Sequence, residues 1–357
     1  MINLLDLSPL KFVNYCQELG EMPFRAQQLQ KWIHKFGVSD FNKMTDISIS
    51  LRKKLKNSGY IKAPHIISDQ ISFDGTRKWI FNVKKNIIET VFIPEKNRNT
   101  LCISTQVGCA INCIFCSTGK QGFIRNLTIG EIIGQLWVIE FKLRKEKNIK
   151  IDFIKNRQIT NIVMMGMGEP LLNYKSTIGA LKLILSDHAY GLSRRHVILS
   201  TTGIIPMIDK LSKECPVELA ISLHASNDNL RNQLIPISKK YPLKELILAC
   251  HRYITYSPRH MITFEYCMLH GINDEDIHAL ELISLMKKNK ILMSCKINLI
   301  PFNYFPNSNL ICSKSSRIKI FAKILMNSGL FVTIRKIRGN DINAACGQLS
   351  GKILNHI

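Results

Sequence analysis

Four cysteines fall within fifteen residues of the stretch LCISTQVGCAINCIFCSTG, from Leu101 to Gly119, and the last three, Cys109, Cys113 and Cys116, are spaced C-x3-C-x2-C. Three thiolates on one loop can each hold one iron of a four-iron, four-sulfur cube, which leaves the fourth iron without a protein ligand. That open iron can take an incoming molecule. A structural zinc site would close on a fourth Cys or His with paired spacing, and none stands nearby. A disulfide knot would suit a secreted chain, whereas the first residues, MINLLDLSPLKFV, lack a basic segment followed by an apolar one.

The other residues with chemical potential fall at the ends of predicted strands. GMGEP, residues 166–170, pairs two glycines that let backbone approach a ligand closely with a carboxylate, Glu169, that can accept from an amino group. It is not the G-x-G-x-x-G dinucleotide fingerprint. Ser200, then Ser222 with Leu223 and His224, then Asn303 in LIPFN, each close a further apolar run. A Ser or Asn ending a strand is usually a turn residue; six such placements in one chain are harder to dismiss.

Strands and helices alternate past residue 100. Strands are predicted at 101–105, 159–165, 196–200, 217–222, 261–268 and 296–300, with another near 331–335, and a helix starts at Thr128, where T-x-x-E through Glu131 forms a capping box. Repeated strand, helix, strand predicts parallel pairing, and barrels of this kind collect their active-site loops at the C-terminal ends of the strands. The cysteines, GMGEP, Ser200, the Ser222–His224 run and Asn303 would then converge on one mouth. Two lysine-rich stretches, 94–99 and 143–157, read as surface loops or insertions.

Ahead of this repeat, residues 1 to about 60 read as helical and basic. In FRAQQLQKWIHKFG the residues Leu29, Trp32, Ile33 and Phe36 make one apolar stripe at i, i+3, i+4 and i+7, with Gly37 as a stop. Arg25, Lys31 and Lys35 give this segment a basic face suited to RNA or to plain solvation. KWIFNV and IIETVFIP then read as a hairpin turning near Lys85 and Asn86. Glu89 shares a strand face with Val91 and Ile93, so partial desolvation would raise its pKa and suit a proton acceptor; taken alone, it reads more often as an edge-strand charge.

Length and charge bound the rest. The chain has 357 residues, eleven cysteines and a formal net charge of +23, and no run reaches the about 18 apolar residues of a membrane helix. A reducing cytoplasmic enzyme with no membrane partner is the expectation. Excess Lys and Arg gain free energy by releasing counterions from phosphates, which favours nucleic acid as partner, although a mutational bias toward lysine would produce the same count.

Five blocks in order, LCISTQVGCAINCIFCSTGKQGFIRNL, VMMGMGEPLLNY, ISLHASND, LIPFNYFP and IRGNDINAACGQL, together resemble the RlmN family, radical S-adenosylmethionine (SAM) methyltransferases that make 2-methyladenosine in 23S ribosomal RNA and in tRNA. The likeness runs from the N-terminal helical segment almost to the end; the lysine-rich loops and the extreme N-terminus depart from it. It implies an α/β fold, a partial (β/α)6 radical SAM barrel with a small N-terminal helical domain and a β-hairpin extension. The expected divisions are 1–65 for the helical domain, 66–100 for the hairpin extension, 101–340 for the barrel and 341–357 for a C-terminal loop.

The resemblance also implies roles. Cys109, Cys113 and Cys116 would hold a 4Fe-4S cluster, and Gly168, Glu169, Ser200, Ser222, Leu223, His224 and Asn303 would contact SAM. Cys346, in AACGQL, matches the cysteine that is itself methylated, Cys102 its redox partner and Glu89 the proton acceptor. Two SAM would be used per turnover: one methylates Cys346, and the other yields a radical that activates the S-methyl group for addition to carbon 2 of adenine. Cys102 would then attack the Cys346 sulfur, leaving a disulfide. Read without the family, both cysteines are ordinary buried thiols; Cys16, Cys215, Cys250, Cys267, Cys295 and Cys312 are assigned to packing. Arg335, Lys336 and Arg338 are candidates for favouring the Cys346 thiolate. The implied partners are 23S rRNA, tRNA and an electron donor such as a flavodoxin-type reductant, with the chain a monomer. A relative that methylates carbon 8 would share these motifs, whereas a non-catalytic iron-sulfur RNA-binding protein would not need Cys346, Cys102 and GMGEP together.

Overall fold

The computed structural model describes residues 1–149 and 157–351. Its N-terminal part holds α1 (Pro9–Glu18), α2 (Phe24–Gln30) and α3 (Ile49–Ser58), with two short parallel strands, β1 (Ile2–Asn3) and β2 (Gly59–Tyr60), closing its ends together. Ser8 and Ser48 cap α1 and α3 by accepting from Lys11 N and Leu51 N.

The predicted apolar stripe is broken by a wide turn. After α2 the chain forms a π-helical turn over Lys31–Lys35, and the extra residue in that turn rotates everything beyond it. Leu29 and Ile33 remain fully buried, but Phe36 turns toward solvent and His34 takes the inward position. The wider turn leaves the Ile33 carbonyl free to accept from Trp137 Nε1 at 2.7 Å. Gly37 ends the element with φ 67°.

Among the described residues the central sheet has ten strands. β3 (His65–Ile71), β4 (Arg77–Val83), β5 (Asn86–Glu95) and β6 (Arg98–Cys102) form an antiparallel meander. From β6 the pairing becomes parallel through β9 (Asn161–Met164), β10 (Val197–Thr201), β11 (Glu218–Ser222), β12 (Ile262–Met268), β13 (Cys295–Pro301) and β14 (Phe331–Ile334). The hairpin therefore continues the barrel wall, with β3 as a further strand that sequence reading missed. Lysines 96 and 85 sit in the tight turns of this meander. Between β6 and β9 stand the small pair β7 (Gln106–Gly108) and β8 (Phe123–Asn126), the single turn α4 (Ser117–Lys120) and the long α5 (Ile129–Glu146). The remaining crossovers carry α6 (Tyr174–Leu185), α7 (Ile205–Glu214), α8 (Asp228–Leu234), α9 (Leu243–Ile254), α10 (Asp276–Lys288) and α11 (Ser315–Asn327).

Apart from β6 and β9, which the small β7–β8 pair separates, each parallel strand of this sheet pairs with the next in sequence, which is the winding of a barrel wall. One cavity is lined by Ile93, Val163, Ile198, Ala220, Thr263 and Phe331, from strands spread along β5 to β14, so the sheet curls around a common axis. The residues of β9 are buried on both faces, as expected of a parallel strand covered by helices outside and packed within. The predicted capping box on α5 is present, with Thr128 Oγ1 accepting from Glu131 N and Glu131 reaching back to Thr128 N. Asp6 Oδ1 accepts from Gly130 N at 2.7 Å, which ties the N-terminal part to that helix. Of the 143–157 stretch, residues up to Glu146 continue α5 and 150–156 lie outside the described residues.

Candidate active site

The cysteine loop leaves β7 through Gly108 and turns back on itself. Cys109 N donates to the Gly122 carbonyl at 2.9 Å, Ile114 N to Leu234 at 3.1 Å and Cys116 N to Cys113 at 3.2 Å, while Asn112 takes a left-handed φ of 56°. These bonds turn Cys109, Cys113 and Cys116 toward one cavity at the C-terminal ends of the parallel strands. Burial pushes the Cys109 thiol up to about 12 and raises Cys113 and Cys116 as well, with neighbouring cysteines adding to the shift at Cys109 and Cys113. Thiols in that condition keep their protons until a metal displaces them. Among the described residues no three His, Cys, Asp or Glu side chains form a group suited to a single metal ion. Three thiols around one cavity suit a cube, in which each takes a different iron.

GMGEP follows β9 and forms the next wall. Its glycines are required by the chain's own backbone: a Cβ on Gly166 would stand 2.7 Å from the Ile103 carbonyl, and one on Gly168, at φ 95°, would collide with Gln106. The fold itself therefore demands glycine at both positions, and both line the cavity. Glu169 is buried. Its Oε1 accepts from Leu171 N at 3.0 Å, and its Oε2 accepts from Thr202 N at 2.8 Å and Thr202 Oγ1 at 3.0 Å. Burial raises its pKa against the pull of these donors.

Ser200, Ser222 and His224 line the same cavity. Leu223 does not; its side chain is fully buried, while its amide donates to the Glu265 carbonyl at 3.0 Å. His224 has φ 58° and accepts from Cys267 N on Nδ1 at 2.9 Å, which leaves the proton on Nε2. Burial, helped by Arg231, pushes its pKa down to about 3, so the ring is neutral. A non-glycine residue held at positive φ is a strained position of the kind that collects at functional sites. Asn273 Nδ2 fixes it by donating to the His224 carbonyl at 2.9 Å.

Asn303, just past β13, donates through Nδ2 to the Cys346 carbonyl at 3.1 Å, and its buried Oδ1 has no protein partner. An unpaired acceptor in a cavity wall suits a ligand donor. Cys346 lines the cavity with the three loop cysteines and is reached by solvent through its mouth. The surrounding protein raises its thiol pKa, Arg335 lowers it and Glu265 raises it. The Cys102 thiol is pushed up to about 12 by burial, with Cys346 adding and Arg335 opposing. Arg335 therefore acts on both thiols. Of the other two cations named from sequence, Arg338 pairs with Asp74 and Glu95 at 3.9 and 4.0 Å, and Lys336 is exposed. All eleven cysteines are free.

Glu89 departs from the expected environment. It is fully buried, does not line the cavity, and pairs with the equally buried Lys78, with Nζ and Oε2 3.3 Å apart. The strand alternation suggested a half-desolvated carboxylate, but β5 lies between β4 and β6 in the sheet and is covered by the C-terminal segment, whose Ser350 and Gly351 amides donate to Oε1.

Three residues of the site escaped sequence reading. Arg231, fully buried, donates to the carbonyls of Leu223, Thr202, Ser222 and Tyr241 and so ties the ends of β10 and β11 together; burial pulls its pKa down to about 10. Cys267, assigned to packing, stands in the cavity wall. Glu265 faces the barrel axis, with Oε2 accepting from Asn298 Nδ2 at 2.7 Å. A lone carboxylate in the apolar run ITFEYCM is a signal that could have found it.

Residues 2–61 match the family described as Ribosomal RNA large subunit methyltransferase N-terminal domain, and residues 103–283 match the Radical SAM superfamily. The crystal structure of a radical SAM methyltransferase from Sphaerobacter thermophilus is similar over the whole length, with 37% identity, 99% of this chain and 100% of that chain covered, and a TM-score of 0.88. A domain of pyruvate-formate lyase-activating enzyme from Bacteroides vulgatus (17% identity, 49% and 99% covered, TM-score 0.36) and SuiB from Streptococcus suis (10%, 66% and 49%, 0.45) also match, too remotely to bear on function.

Proposed function

The chain belongs to the RlmN family of radical SAM methyltransferases, and on that premise we propose that it methylates carbon 2 of adenine in 23S rRNA and in tRNA through an S-methylcysteine at Cys346. The observation that carries this reading is the convergence of Cys346 with Cys109, Cys113, Cys116, Glu169 and Asn303 on one cavity. A simple displacement on SAM would need a nucleophilic carbon, which carbon 2 of adenine is not, and would leave a protein thiol at that place without a task.

In this reading Cys109, Cys113 and Cys116 hold the 4Fe-4S cluster. Gly168, Glu169, Ser200, Ser222, His224 and Asn303, with the backbone at Leu223, hold SAM. Once bound, the cluster supplies the electron that cleaves SAM to a radical able to take hydrogen from an S-methyl group. Cys346 first accepts a methyl group on sulfur, for which Arg335 favours the thiolate. Its activated methyl carbon, a radical, then bonds to adenine, joining enzyme and RNA, and the one electron that the adduct carries in excess of the closed-shell product would return to the bound cluster that supplied it. Glu89 takes the proton from carbon 2 on Oε2, the oxygen that accepts no hydrogen bond and stands 3.3 Å from Lys78 Nζ. Cys102 attacks the Cys346 sulfur; the methyl carbon keeps the bonding pair and takes a proton, the RNA leaves, and a Cys102–Cys346 disulfide remains for an external thiol system to reduce. The reading includes a monomeric cytoplasmic enzyme served by a flavodoxin-type electron donor. Among the described residues no helix is long and apolar enough to cross a membrane.

Mass spectrometry of nucleosides from 23S rRNA and tRNA incubated with the reduced enzyme and SAM tests the assignment. It should yield 2-methyladenosine from both RNAs. 8-Methyladenosine in its place would move the chemistry to the other carbon and overturn the regiochemistry.

A further inference from the structure

The segment that carries Cys346 is tied at both ends to one buried ion pair. Lys78 on β4 and Glu89 on β5 are both almost fully buried, 3.3 Å apart. Lys78 Nζ also donates to the Asn343 carbonyl at 3.3 Å, three residues before Cys346. Glu89 Oε1 accepts from Ser350 N at 2.9 Å and Gly351 N at 2.6 Å, four and five residues after it. Between these feet the bonds among the described residues are neutral: Ser117 N donates to Gly347, Thr118 Oγ1 to Leu349, Asn303 Nδ2 to Cys346, and Gln348 Nε2 to Tyr304 and Asn340. Among the described residues Lys78 is the one charged side chain in contact with Glu89.

The strength of this arrangement depends on the charge of one carboxylate. Hydrogen bonds to an ionised oxygen are roughly twice as strong as neutral ones, and a buried ammonium left without its counter-charge is strongly disfavoured. A neutral Glu89 would loosen both feet together: the Ser350 and Gly351 amides would lose an anionic acceptor, and Lys78 would lose the charge that keeps it beside Asn343.

We propose that Lys78 and Glu89 form a clasp on the Cys346 segment, closed while Glu89 is ionised and opened when Glu89 takes a proton, with Lys78 a positioning residue for Cys346. The timing of the opening rests on the proposed role of Glu89 as proton acceptor; the clasp itself does not. In that sequence the proton passes from carbon 2 of adenine to Glu89, and the electron pair stays on the ring. Only then is the segment free to bring the Cys346 sulfur to Cys102, so the attack that releases RNA cannot run ahead of the deprotonation.

The test uses the full-length, cluster-loaded protein with neither RNA nor SAM, so its result is independent of which base is methylated. Glu89→Gln keeps the shape of a protonated carboxyl, Lys78→Met removes the ammonium and keeps the length, and Lys78→Arg restores a cation. The readouts are hydrogen exchange across residues 343–351 and the rate at which diamide closes a Cys102–Cys346 disulfide, followed by peptide mass spectrometry. Glu89→Gln and Lys78→Met should each speed both by about tenfold, the loss of one charge-assisted bond, and Lys78→Arg should return them toward the parent. Iron content and exchange in α1 and α3 report whether the rest of the fold is intact. If Lys78→Met alone does not fold, the doubly neutral Lys78→Met, Glu89→Gln protein removes the unpaired buried charge and should show the same acceleration. Unchanged rates in the variants, or acceleration spread equally over α1 and α3, would overturn the clasp. Accelerated rates in a protein that proves to make 8-methyladenosine would leave the clasp standing and remove only the carbon-2 reading.

Discussion

In the proposed mechanism Cys346 reacts as a thiolate in surroundings that raise its pKa, and Arg335 is the group that opposes them. Arg335→Gln removes that opposition. Alkylation of Cys346 by iodoacetamide, read peptide by peptide, should then need a pH higher by about one unit for the same rate, the lower end of what an adjacent opposite charge contributes. An unchanged profile would mean that Arg335 does not reach the sulfur. The residues of this site differ in how legible they were. Cys109, Cys113 and Cys116 announce themselves by spacing, because a loop that short must place them together. Cys102 and Cys346 stand far apart in sequence, and only the family likeness paired them. Arg231 left no trace, since its partners are backbone carbonyls that any sequence would supply. Glu89 was legible as a carboxylate on a strand, while its burial depended on a C-terminal segment whose path no local pattern encodes.

At the scale of elements, period and punctuation served well where neighbours did not intervene. The parallel strands were readable as apolar runs, and the α5 capping box was readable from Thr128 and Glu131 alone. β3 was missed because HIISDQI mixes charge with apolar residues, as a strand on the outer edge of a sheet can. The stripe after α2 failed because a π-helical turn changes the period within the element and turns His34 into the core. That histidine carries a testable consequence. Burial holds its pKa down at about 3, whereas the unfolded chain binds the proton near pH 6.5. The unfolded state therefore gains protons first, and the contribution of His34 to stability, full above about pH 6.5, is lost as pH falls below it at about 1.4 kcal/mol per unit. Burial raises the Glu169 and Glu265 carboxyls, so their contributions to the pH dependence have the opposite sign. The comparison to make is thus between the parent and His34→Gln. Urea midpoints of the variant should fall less steeply between pH 6.5 and 5; parallel slopes would show that His34 is not held neutral.

The whole molecule carries a formal charge of +23, and the N-terminal part and the barrel are joined by part-buried hydrogen bonds such as Asp6 with Gly130 and Trp137 with Ile33. If the charge serves RNA, log affinity should fall linearly with log salt, with a slope of about −0.7 per phosphate contact for single strands. A flat response would make the lysines a feature of composition. The central claim is that one protein thiol carries the methyl group to RNA and a second thiol releases it, and the Cys102→Ala protein tests this most directly. Lacking the releasing thiol, it should still load Cys346 and add to the base, then stop. Incubated with substrate RNA, SAM and reductant and run on a denaturing gel, it should give a protein band shifted by covalent RNA that collapses on nuclease treatment, with the crosslink mapping to the Cys346 peptide. Free methylated RNA at the parent rate with no shifted band would contradict the account.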